Sequence, residues 1–137
     1  MEKNKILKDL KHTLQFKLRP SQIINAGIGV FTLQDIPKDT IIFGGIKKNV
    51  FISWEEVEWL DNYVLKHIKS ICLFNEKGFY IDDKLSQINS SYYINHSHEP
   101  NCHHDLQNDI YYSIRKIKKG EELTCYYLPQ ERDWNEK

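Results

Sequence analysis

The stretch Tyr92-Tyr93-Ile94-Asn95-His96-Ser97-His98-Glu99-Pro100-Asn101 decides how this chain is read. An apolar approach runs into a dense block of Asn, His and Ser, and Pro100 imposes an extended or turned exit. In a solvated loop these side chains could come in any order. In a packed one they must hydrogen-bond particular backbone groups or a ligand, because a buried amide or imidazole left unpaired costs roughly a few kcal/mol. Tyr93 and Ile94 are expected to be buried, which sets Asn95 and His96 where core meets cavity. An Asn-His pair is also an ordinary turn element, so the block alone leaves both readings open.

Working outward, 137 residues make one domain, large enough for a core without metal or disulfide staples. Hydrophobic content of 40% and charged content of 28% are those of an ordinary soluble protein. Nineteen Lys and Arg balance nineteen Asp and Glu, so no overall field draws the chain to nucleic acid or to an anionic membrane. The charge is uneven: the first twenty residues and Arg115–Lys119 are basic, while Trp54–Asp61 and the C-terminal tail are acidic. Three cysteines, Cys72, Cys102 and Cys125, without a C-x-x-C pair, argue against a disulfide framework and fit a reducing compartment. No apolar run reaches membrane-spanning length, and the start is too charged for a secretory signal peptide, so an intracellular location is expected.

Ile6, Leu7 and Leu10 suggest a short amphipathic helix or arm over residues 1–13. Leu14–Leu18 alternates as a half-buried strand that Pro20 ends, and Asn25–Gly29 is a tight turn before a strand at Val30–Leu33. Further strands are expected at Thr40–Phe43 and Ile46–Ile52, with Gly44-Gly45 between them. Ser53-Trp54-Glu55-Glu56 reads as a capping box, and Trp54, Val57, Leu60, Val64 and Ile68 then predict one helix of about four turns. Short strands follow at Ile71–Phe74, Phe79–Ile81, His104–Leu106, Ile110–Ile114 and Glu122–Tyr127. Many short strands, one convincing helix and no βαβ rhythm point to a mostly β, irregular α+β domain.

Three constellations could carry chemistry. Gly27-x-Gly29 does not open a helix and lacks a third glycine, which excludes a dinucleotide fingerprint. It remains either a hairpin turn or a place where backbone approaches a ligand closely. His96, His98, Cys102, His103 and His104 are zinc-ligand types, but their spacing fits no common structural site, and no metal is expected. Gly120-Glu121-Glu122-Leu123-Thr124-Cys125-Tyr126-Tyr127 is a turn feeding a strand. Its tyrosines either pack or present a hydroxyl at the wall of an apolar channel.

Taken in order, Gly27-x-Gly29-Val30-Phe31, Asn95-His96-Ser97-x-x-Pro100-Asn101-Cys102 and Gly120-Glu121-Glu122-Leu123-Thr124-x-x-Tyr127 resemble the SET-domain protein-lysine methyltransferases. The resemblance covers residues 14–128, with a variable insert at about 53–90 and a tail at 129–137. It implies small curled β-sheets with a C-terminal pseudoknot and one main helix in the insert. It also implies S-adenosylmethionine as cofactor, held by backbone of Gly27, Ile28 and Gly29, by the Asn95 amide and by His96. Tyr127 would be the catalytic tyrosine, and Tyr93 and Cys125 would border the substrate channel. The implied partner is a protein or peptide bearing a lysine, such as a histone; a homodimer completing the site is a further expectation.

Departures from the family pattern bear on the reading. His98 stands where a zinc-binding Cys is common, and the tail holds no cysteine, so Trp134 is the expected closing aromatic over the adenine. Gly44-Gly45 stands where a tyrosine is usual, which favours the alternative of a catalytically inactive SET-like module that binds a partner peptide. Cys125 replaces a larger aromatic, leaving room for di- or trimethylation.

Overall fold

The alternation that marks Leu14–Leu18 forms β1 at Phe16–Pro20, paired antiparallel with β2 at Ile28–Thr32. The structure is a computed structural model that describes residues 2–44 and 49–127. It comprises two compact units, Met1–Gly44 with Tyr93–Tyr126 and Gly45–Tyr92 with Tyr127–Lys137.

In the first unit, Pro20 is the last residue of β1, as the sequence suggests, and it is still paired, with Ile28. The β1–β2 sheet has two strands, so β1 is an edge, where a missing N–H is tolerated. Ahead of it, α1 spans Lys3–His12 with every residue exposed, including Ile6, Leu7 and Leu10. A five-stranded sheet follows in the order β3-β8-β7-β9-β6. Its strands are β3 (Ile41–Gly44), β6 (Asn95–His96), β7 (Cys102–Asp105), β8 (Ile110–Ser113) and β9 (Thr124–Cys125). β6 and β7 are consecutive in the chain, yet β9 lies between them and runs parallel to both. This is the threaded arrangement the resemblance implied, and it is rare because a chain end must pass beneath a formed connection. Val30, Phe31, Ile36, Ile94, Ile117, Leu123 and Cys125 fill the core around it.

The second unit pairs β4 (Val50–Ser53) with β5 (Gly78–Ile81), antiparallel. The expected strand at Ile46–Ile52 begins partly outside the described residues. The single four-turn helix expected over Trp54–Ile68 is two pieces. The capping box at Ser53 and Glu56 forms, but it closes only a 3-10 turn, Trp54–Val57. The chain then restarts at Asp61, whose carboxylate accepts from the Tyr63 amide at 2.7 Å and caps α2 (Asn62–Ile71). Two strong caps eight residues apart divide one apolar period between two elements. Ile71 ends α2, and of the strand expected at Ile71–Phe74 only Phe74 makes a bridge, to Phe79. Ile68, Cys72, Phe74, Phe79 and Ile81 form the apolar cluster, flanked by Trp54, Val64 and Tyr92. Among the described residues no helix is long and apolar enough to cross a membrane.

Candidate active site

Gly27, in the turn before β2, and Gly29, inside β2, are needed for different reasons. Gly27 has φ +78°, a left-handed conformation that side chains resist, and no atom lies within 4 Å of where its Cβ would stand. Gly29 has no room for a methyl, which would fall on the Glu122 carboxylate, 2.8 Å from Cδ. That approach follows from pairing: Phe31 bridges Glu122, and the Leu123 amide donates to the Val30 carbonyl at 2.8 Å. The segment leading into β9 is thereby held across β2, and the Glu122 side chain is turned in under the glycines.

Glu122 is buried, and its carboxylate is met by three donors from two segments. The Ser21 hydroxyl donates at 2.8 Å, the Gln22 amide at 2.9 Å and the Asn95 side chain amide at 3.1 Å. A buried carboxylate without such donors would be strongly disfavoured. Asn95 Nδ2 also donates to the Ile28 carbonyl at 3.0 Å. One amide therefore ties the glycine turn to the Asn-His strand, across 67 residues of sequence.

Asn101 holds the threading in place. Its Nδ2 donates to the Glu122 carbonyl at 2.8 Å, and its Oδ1 accepts from the Thr124 amide at 2.8 Å and from the Cys102 thiol at 3.3 Å. At 2% exposure it stands in for a backbone partner where the parallel strands begin. From there Asn95 faces Thr124 and His96 faces Cys125, and the Ser97 amide donates to the Cys125 carbonyl at 2.9 Å.

The His96 ring meets Tyr126 at 4.9 Å and His98 edge-on at 4.8 Å. Cys125 and Cys102 are buried, and burial pushes the Cys102 thiol up to about 12. The Cys102 thiol is thus a packing group, not a nucleophile. Among the described residues no cluster of three or more His, Cys, Asp or Glu side chains is arranged to hold a metal ion.

Of the residues singled out in the sequence, Gly27, Ile28, Gly29, Asn95 and His96 gather within this unit, and Cys125 sits in β9 beside His96. Tyr93 is half-buried at the end of a 3-10 turn, Ser90–Tyr93, immediately before β6. Tyr127 is half-buried, two residues after β9 and within the second unit. Trp134 lies outside the described residues. Sequence reasoning quoted Glu122 and Asn101 within the motifs but assigned neither a role, and it did not single out Ser21. A signal existed for the first, since a carboxylate at an inward position beside Leu123 demands partners; nothing local marked Ser21.

A β-rich domain of small sheets, its last strand threaded between two earlier ones beside a glycine turn, is the class these features define. Residues 27–128 match the SET domain family, and the chain belongs to it. Over 128 residues it is 26% identical to histone-lysine N-methyltransferase SETD7 of Halocynthia roretzi, covering 85% of this chain and 32% of that protein. The chain thus spans about a third of that relative's length. Among solved structures it resembles ctPRC2 in an autoinhibited conformation bound to S-adenosylmethionine, with TM-score 0.60 and 23% identity over 90% of this chain and 16% of that one. It also resembles a humanized mutant of the Chaetomium thermophilum Polycomb Repressive Complex 2 bound to the inhibitor GSK126, with TM-score 0.60 and 21% identity over 98% of this chain and 18% of that one. At these identities the structural likeness is one of fold.

Proposed function

We propose that this chain is an S-adenosylmethionine-dependent protein-lysine N-methyltransferase acting on a protein substrate, with histones the first class to try. The observation that carries the reading is the Asn95 amide bonded at once to the Ile28 carbonyl and to Glu122. It makes one site of the glycine turn and the Asn-His strand. The groups present suit the cofactor: the turn at Gly27 is open where a side chain would stand, and Asn95 is half-buried beside it. Gly27, Ile28 and Gly29 would offer backbone, Asn95 would take the amino-acid end, and His96 the adenine. Trp134 is the proposed closing aromatic.

When bound, S-adenosylmethionine supplies an electrophilic methyl group on a cationic sulfur. A substrate lysine with the ordinary pKa near 10.4 is about one part in a thousand neutral near pH 7.4, a handicap of roughly 4 kcal/mol. Tyr93 and Cys125 are proposed to wall the lysine channel, where a water-poor surface disfavours the ammonium form. Tyr127 would orient the neutral amine through its hydroxyl, and orientation supplies much of the remaining acceleration. The small Cys125 side chain leaves room for a second and third methyl. An intracellular site of action, in cytoplasm or nucleus, goes with such a substrate.

The test is transfer of a labelled methyl from S-adenosylmethionine to histones and lysate proteins, with mapping of the modified lysine. Tyr127→Phe is expected to reduce transfer by about 100-fold or more while cofactor binding persists. Undiminished turnover in that variant would remove Tyr127 from the chemistry. A second reading, an inactive module that binds a peptide, is favoured by Gly44. A Cβ there would lie 3.0 Å from Ile110 Cγ2, so the tyrosine usual after this strand is replaced by a position with little room. Cofactor binding by calorimetry without any methylated product would select it.

A further inference from the structure

The Asn95 amide has two hydrogens and two acceptors. One hydrogen bond goes to the Ile28 carbonyl and the other to Glu122 Oε2, at 3.0 and 3.1 Å. Both partners only accept, so the opposite orientation would set Oδ1 against two oxygens. The amide is therefore locked with Oδ1 directed away from both, and what Asn95 offers a ligand is an acceptor. Ile28 alone would not lock it, since a single carbonyl leaves the amide free to swing. Glu122 supplies the second constraint, and it is itself pinned. Its Oε1 accepts from the Gln22 amide at 2.9 Å, the single Ser21 hydroxyl lies 3.0 and 2.8 Å from its two oxygens and donates to one of them, and Gly29 leaves the space it occupies.

We propose that Glu122 is a positioning residue that fixes the Asn95 amide with its oxygen outward, so that the site selects ligands carrying a protonated amine, here the α-ammonium of S-adenosylmethionine. The inference rests on the methyltransferase reading and deepens it, because it assigns amine selectivity to a residue that need not touch the cofactor.

Glu122→Gln makes a sharp test because the Gln22 backbone N–H can only donate. The new side chain must keep its oxygen toward Gln22, and its NH2 then replaces the oxygen that faced Asn95. The Asn95 NH2 then faces another NH2 on that side while the Ile28 carbonyl still requires a donor on the other, so neither orientation of the amide satisfies both neighbours and its oxygen is no longer fixed outward. Binding of S-adenosylmethionine would be compared with binding of its des-amino analogue by calorimetry, in the full chain and in Glu122→Gln. The full chain is expected to prefer the amine-bearing ligand by about tenfold or more, the scale of one hydrogen bond to a charged group. In Glu122→Gln that preference should fall to near unity, with affinity for the des-amino compound largely kept. A purely structural Glu122 would weaken both ligands by the same factor and leave the ratio untouched; that result overturns the inference alone. Binding of neither ligand to the full chain would overturn the methyltransferase reading and the inference together. A variant-independent check is the Asn95 side chain amide by NMR in the ligand-free protein. Two protected, slowly exchanging hydrogens are expected, and a freely exchanging pair would overturn the locked orientation even if Glu122→Gln fails to fold.

Discussion

The two units hold themselves together by opposite means. In the first, the crossing of β9 past β6 depends on polar side chains buried with their partners, Asn101 and Glu122 above all. In the second, the buried side chains among the described residues that form the cluster, Ile68, Cys72, Phe74, Phe79 and Ile81, are apolar, and rings such as Trp54 and Phe79, 5.2 Å apart, close it. Apolar packing is non-directional and tolerates changes of shape if volume is kept. Hydrogen-bonded amides impose orientation, and a site that must present one atom and not another needs that. The contrast teaches where precision is required: the unit that gathers the glycine turn and the Asn-His strand carries the buried polar network.

The contrast can be broken by mutation, beginning with the largest effect. Phe79→Ala should cost about 3–5 kcal/mol in denaturant unfolding through the cavity it leaves. Phe79→Leu, by contrast, should recover most of that loss; a network-like dependence on the exact side chain would show as no recovery. Asn101→Ala should cost about 3 kcal/mol, since it strands the Glu122 carbonyl and the Thr124 amide in the interior. Here the nearly isosteric Asn101→Leu should rescue nothing, and rescue would mean that the network is replaceable by packing.

Smaller effects sharpen the account of the split helix. Asp61→Ala and Ser53→Ala should each cost about 1 kcal/mol. Only Asp61→Ala is expected to lower helix content measured by circular dichroism, because Ser53 caps the 3-10 turn alone. Equal losses would mean that one continuous helix forms in solution.

The smallest effect is at Glu121. Its burial works to raise the carboxyl pKa, but the Arg115 guanidinium at 3.0 Å and the Lys118 amide outweigh it and hold the group below the ordinary carboxylate range. A depressed folded-state pKa means stability present above the unfolded value near 4.5 and lost as pH falls through the folded one. Glu121→Gln should therefore lower the free energy of unfolding by less than about 1 kcal/mol at pH 7, read from denaturant curves, with the difference vanishing in acid.

Local chemistry was legible where the signal lay within a few residues. The capping box at Ser53, the hairpin β1–β2 and the strand at Ile110–Ser113 follow from patterns contained in their own sequence. The break at Asp61 was obscured because apolar residues kept a helical period across it, and competition between two caps outweighed that period. In the site, Asn95 could be singled out by its neighbours, whereas Glu122 and Ser21 could not be paired across 101 residues from composition or spacing.

By itself the sequence determined the class of protein, through three ordered motifs, and singled out the groups proposed to meet a cofactor. Tertiary structure alone decided that the final strand enters between β6 and β7, and that the Asn95 amide meets both the Ile28 carbonyl and the Glu122 carboxylate. The physical reason is that a residue's chemistry is local, while a hydrogen bond's direction depends on a partner that the chain delivers only once it has folded.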